Sequence, residues 1–68
     1  MTQEQAKRLP LGLYRLYWKD GSSSLAAVGN LNDGRRWFAP VNWTNSRPDG
    51  IASADWRTVW EAELLERY

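Results

Sequence analysis

Hydrophobic and polar residues alternate with a period of two along the first part of the chain. Over residues 13–19, Tyr14, Leu16 and Trp18 share one side while Arg15, Tyr17 and Lys19 share the other, as a strand buried on one face requires. A second strand is expected over residues 25–31, where Ala26, Ala27, Val28 and Gly29 carry little volume. Such a strand suits a position crossed by a bulky neighbour, and a tryptophan is expected to cross it. A third strand, over residues 36–43, would place Trp37, Ala39, Val41 and Trp43 on one face. Pro40 within it has no N–H to donate, so that strand belongs at a sheet edge or carries a bulge.

Asp-Gly pairs at Asp20-Gly21, Asp33-Gly34 and Asp49-Gly50 punctuate these segments. Aspartate tolerates the left-handed region and glycine enters it freely, so the dipeptide favours tight hairpin turns. Residues 45–50 form a loop by the same reasoning, with Pro48 at the second and Gly50 at the fourth position of a type I turn. Residues 1–10 are expected to be a flexible segment with at most one frayed helical turn, capped by Thr2 and ended by Pro10. The folded domain is expected over residues 11–68.

The C-terminal pattern fits two periods. Trp56, Val59, Trp60 and Leu64 match helical spacing with Asp55 as cap, whereas Trp56, Thr58, Trp60, Ala62 and Leu64 alternate as a strand does. The expected solution is a helical turn near residues 55–58 leading into a strand over 59–65. The fold class is then mainly β: a three-stranded antiparallel meander closed by a helical turn and a C-terminal strand. The alternative is an α+β domain with a helix over residues 55–67.

Composition sharpens this picture. A core formed by 68 residues leaves a net stability of only about 3–5 kcal/mol. The chain has no Cys and no His, so neither a disulfide nor an ordinary structural zinc site can reinforce it. Large rings must do so instead, each burying roughly 150–250 Å². Trp18, Trp37, Trp43, Trp56 and Trp60 are therefore expected to supply most of the core. The absence of Cys fits the cytoplasm better than a small secreted domain. The polar first eight residues lack the apolar run of a secretory signal, and no stretch approaches the roughly 20 apolar residues that span a bilayer. A soluble, cytoplasmic protein without membrane contact is expected.

Net charge is +1, but residues 1–48 carry seven basic and three acidic side chains and residues 49–68 carry two basic and five acidic ones. The balances are +4 and −3. Such a dipole either steers a partner or draws the two halves of the domain together.

Catalysis needs groups this chain lacks. Without His or Cys, the common general base and acyl-transfer nucleophiles are missing. Asp20, Asp33 and Asp49 are accounted for as turn residues, and Glu61, Glu63 and Glu66 as a solvated face. Ser22, Ser23 and Ser24 have no base beside them. No phosphate-binding glycine loop occurs. A non-enzyme without metal or cofactor is expected. Asn42-Trp43-Thr44 matches the glycosylation triplet, but with no secretory signal it is not assigned.

Two binding chemistries remain. Arg35, Arg36, Trp37 and Phe38 set two cations beside two rings, and Arg15, Tyr17 and Lys19 share a strand face, the combination that single-strand nucleic-acid binders use. The plainer reading makes Trp37 core and the arginines solvated hairpin ends. Protein binding rests on the Trp, Tyr and Arg content, the types enriched at interface hot spots, and on the Pro40 edge as a template for a partner strand.

The runs Gly-Leu-Tyr-Arg-Leu-Tyr-Trp at residues 12–18, Gly-Ser-Ser-Ser-Leu-Ala-Ala-Val-Gly at 21–29 and Arg-Trp-Phe-Ala-Pro-Val-Asn-Trp at 36–43, with Trp56, Val59 and Glu63-Leu64, resemble small uncharacterised phage and prophage accessory proteins. The resemblance spans residues 11–65. It implies a strand for the C-terminal segment, and a small protein that acts by binding a host or phage protein. A non-catalytic protein-binding module is thus the first expectation. Single-stranded nucleic-acid binding is the second, and self-association through an exposed edge, as a homo-oligomer, the third.

Overall fold

The alternation read along the first strand persists in three dimensions. In β1 (Gly12–Trp18), Tyr14 and Leu16 are buried while Leu13, Arg15 and Tyr17 are half-exposed on the opposite face. The computed structural model describes residues 1–41 and 50–68. Trp43, the end of the expected third strand and most of the 45–50 loop lie outside them.

β1 pairs with β2 (Ser23–Asn30), β2 with β3 (Arg36–Pro40), and β4 (Val59–Arg67) returns to the free side of β1. All pairings are antiparallel and the strand order is β3-β2-β1-β4. This is a Greek-key arrangement, three hairpin-linked strands with the fourth beside the first. A short 3-10 turn, Trp56–Thr58, precedes β4, and Asp55 caps it by accepting from the Arg57 N–H. The mainly β fold is as expected, and the helix over residues 55–67 is not formed.

Both described hairpins use their Asp-Gly pairs. Gly21 and Gly34 have φ of 94° and 89°, a region that penalises any residue with a Cβ. Asp20 Oδ1 accepts from the Ser22 N–H at 2.9 Å and its hydroxyl at 2.6 Å, and Asp33 Oδ1 accepts from the Arg35 N–H at 3.0 Å. The expected tryptophan over β2 is Trp37. A Cβ built on Gly29 would lie 2.7 Å from Trp37 Cε2, so the indole occupies the space that a side chain at Gly29 would fill.

The core lies on one face of the sheet. Tyr14, Leu16, Ala26, Val28, Phe38, Trp56 and Val59 form it together with Ala6, and Met1, Leu9, Trp18 and Ala62 pack around it. Phe38 meets Trp56 edge-on at 4.7 Å between ring centroids and Trp18 at 5.7 Å. The tryptophan core expected from sequence needs correction. Trp56 is fully buried and Trp18 half-buried, but Trp37 stands on the opposite face and Trp60 is 70% exposed. Trp37 alternates with the buried Phe38 on β3, and at Trp60 the cause is register. β4 slips against β1 between Tyr17 and Trp18, so that Val59 sits opposite Trp18 while Glu61 sits opposite Tyr17. The bulge makes Trp60 the extra residue, and Val59 takes the core position in its place.

Residues 1–10, expected as a flexible segment, pack against the domain. A single sheet must cover its apolar face, and the helical turn α1 (Gln3–Ala6) with the 3-10 turn does so. Thr2 and Gln5 form a reciprocal capping box at 3.1 and 2.9 Å. Ala6 is fully buried, and the Met1 amino group donates to the Val59 carbonyl at 2.6 Å.

Candidate functional site

The basic and aromatic residues singled out from sequence do not converge. Arg36 is taken up by the fold. Its Nε donates to the Ala6 carbonyl (3.2 Å), Nη2 to those of Lys7 (2.7 Å) and Leu9 (2.9 Å), and Nη1 to Asn30 Oδ1 (2.6 Å). The guanidinium thus satisfies carbonyls at the end of α1, which a four-residue helix cannot pair internally. Phe38 is 7% exposed in the core. Arg35 lies at the β2–β3 turn, its Nε paired with Asp33 Oδ2 at 2.8 Å. Trp37 donates from Nε1 to the Asn30 carbonyl at 3.1 Å.

Arg15 and Tyr17 occupy the sheet face away from the core, opposite Glu63 and Glu61 of β4, and the Tyr17 hydroxyl donates to Glu63 Oε1 at 3.3 Å. Lys19 lies beyond the end of β1. There it lines an open hollow of about 430 Å³ with Trp18, Asp20, Arg57 and Thr58. Arg57 is paired with Asp55 at 2.9 Å and Asp20 is engaged by Ser22, which leaves Lys19 as the one charge of that hollow without an ion pair among the described residues.

The two sheet edges differ in kind. β3 carries Pro40, and the outward backbone groups of Arg36 and Phe38 are satisfied. The Arg36 N–H donates to Gln3 Oε1 at 3.0 Å, and its carbonyl accepts from Gln3 Nε2 at 2.8 Å and Trp56 Nε1 at 3.0 Å. Phe38 exchanges both backbone bonds with Ser53 at 2.9 and 2.8 Å. Expectation placed strand addition at the Pro40 edge. Among the described residues, that edge is closed at Arg36 and Phe38.

β4 is the opposite case. Lys19 N–H donates to Thr58 and Tyr68 N–H to Leu11, which places the β1–β4 hydrogen bonds at the odd residues of β1. Alternation along an antiparallel ladder then turns the backbone groups of Ala62 and Leu64, opposite Leu16 and Tyr14, to the outside. Among the described residues the partnered outward groups of this edge are those of Val59, whose N–H donates to the Trp56 carbonyl and whose carbonyl accepts from Met1. Beside it stand Trp60 (70% exposed), Leu64 (41%), Leu65 (44%) and Tyr68 (68%). A second slip between Leu13 and Tyr14 makes Leu65 another bulge residue.

Sequence reasoning missed this edge because it read Trp60 as core and Glu61, Glu63 and Glu66 as a solvated tail. The signal that marks it is the excess of apolar residues over a simple alternation: Val59 and Leu65 fall outside the period-two pattern that Trp60, Ala62 and Leu64 keep. Among the described residues, no group of three or more His, Cys, Asp or Glu is arranged to hold a metal ion, and no helix is long and apolar enough to cross a membrane. No protein-family model matches the chain, and no curated protein or solved structure is significantly similar to it.

Proposed function

We propose that this protein is a non-catalytic protein-binding module whose docking element is the outer edge of β4. The observation that carries the reading is the contrast between the two edges. β3 is closed by Gln3, Ser53, Trp56 and Pro40, whereas β4 leaves outward backbone groups beside Trp60, Leu64, Leu65 and Tyr68. An exposed apolar edge is an aggregation hazard that folded proteins ordinarily blunt, and strand addition to it is a recurrent mode of peptide recognition. The lack of His and Cys supports a non-catalytic role. The resemblance to small phage and prophage accessory proteins supports a host or phage protein as the target, in the cytoplasm of a bacterial host.

A photo-crosslinking residue at position 65, compared with one at Asp33 in the β2–β3 turn, tests the reading. Protein adducts are expected from position 65 and not from 33. Adducts to nucleic acid alone, or equal yields from both positions, would overturn it. Salt-dependent oligonucleotide binding would transfer the function to the second expectation.

A further inference from the structure

We infer that the occupant of the β4 edge is an extended segment of a partner protein in which basic residues alternate with apolar ones. The inference rests on the reading of β4 as a docking edge and adds the chemistry of the ligand. β4 presents different surfaces on its two sides. Glu61, Glu63 and Glu66 lie on the sheet face away from the core, opposite Tyr17, Arg15 and Leu13; Ala62 and Leu64 lie on the core side, opposite Leu16 and Tyr14. Among the described residues none of the three carboxylates is held in an ion pair, and only Glu63 accepts a side-chain hydrogen bond, from Tyr17.

A strand laid against this edge continues both faces. Its residues on the far face fall beside the glutamates, where Lys or Arg gives the favourable cross-strand pair. Its residues on the core side fall beside Ala62 and the half-exposed Leu64, where an aliphatic or aromatic side chain extends the core. The same geometry disfavours a second copy of this chain. Antiparallel pairing of two β4 edges about an axis normal to the sheet keeps the faces aligned and sets glutamates beside glutamates, and like charges placed so are destabilising.

The test uses labelled peptides of about eight residues, a common strand length, one alternating Lys with Val and one alternating Glu with Val. Fluorescence anisotropy at low salt reads binding to the full chain. The lysine peptide is expected to bind at least about tenfold more tightly than the glutamate peptide, with affinity falling as salt rises. Replacing Glu61, Glu63 and Glu66 together by Gln should bring the two peptides to within about twofold, as the charge preference vanishes. Ala62→Pro removes one outward N–H without touching the β1–β4 bonds and should abolish binding of the lysine peptide. If that variant does not fold, the triple Gln variant still decides the charge preference. Equal binding of both peptides, binding that survives Ala62→Pro, or sedimentation of the wild-type chain as a dimer at micromolar concentration would overturn the inference. A charge preference that fails while position 65 still crosslinks to protein sinks this inference alone; failure of both sinks the docking edge as well.

Discussion

The guanidinium of Arg36 reaches three carbonyls of the N-terminal segment and the Asn30 side chain, tying α1 to the β2–β3 hairpin across about 30 residues of sequence. Hydrogen bonds to a charged group contribute about 1.5–3 kcal/mol each, and acceptors left unpaired add a further penalty. Arg36→Ala should therefore lower stability by about 2–3 kcal/mol, a large share of what a domain this size has. Arg36→Lys should recover little, because an ammonium cannot span acceptors set for a planar fork. Urea denaturation of the two variants checks both statements; a shift in midpoint below experimental error for Arg36→Ala would refute the first. Nothing in the sequence around Arg36 separates it from Arg35, which stays at the turn surface. The distinction depends on contacts with residues 6–9, and those are set by the tertiary fold.

At the scale of elements, much of the sheet was legible from local signals. β1 and β2 follow from alternation and from the two described Asp-Gly turns, and the small residues of β2 foretold the indole across Gly29. The turn at Trp56–Thr58 and strand β4 were also expected, because Asp55 is a cap and the residues after Val59 alternate. Two things were hidden. Bulges at Trp60 and Leu65 are properties of the pairing with β1, and one extra residue reverses the parity on which a face assignment rests. The packing of residues 1–10 was hidden for a related reason: a four-residue helix has no apolar stripe to read, and Ala6 is core only because the sheet needs a cover. The turns themselves carry a pH signature. Side-chain and backbone hydrogen bonds from Ser22 hold the Asp20 carboxyl below its ordinary value of 3.8, the backbone N–H of Arg35 does the same for Asp33, and the Arg57 side chain does so for Asp55. A carboxyl depressed in the folded state contributes stability above its unfolded value, and that stability is lost as the pH falls through the folded one. The melting temperature should accordingly lie on a plateau above pH 5 and fall below about pH 4. All three carboxylates are exposed, so added salt should shrink the effect. A melting temperature unchanged down to pH 2.5 would contradict this.

For the whole molecule, the described tryptophans divide by role. Trp56 anchors the core against Phe38 and donates to the Arg36 carbonyl; Trp60 stands almost free in solvent. Trp56→Ala should cost about 3–5 kcal/mol, enough to unfold a domain of this size. Trp60→Ala should shift stability by less than about 0.5 kcal/mol, as surface substitutions do, while reducing the fluorescence that acrylamide quenches. Circular dichroism and quenching on the two variants would show the split. Comparable destabilisation by both would place Trp60 in the core after all.

The sealed β3 edge also sets how large any assembly of this sheet can become. A four-stranded sheet with two open edges is a bifunctional monomer, and edge addition to it can continue without limit into a fibre. Here one end is closed by groups from three separate places in the chain: the amide of Gln3, the backbone of Ser53 and the indole of Trp56. Among the described residues the molecule then offers one open edge, and copies of it could not chain edge to edge into a fibre: two that met at β4 would leave only their closed β3 edges outside.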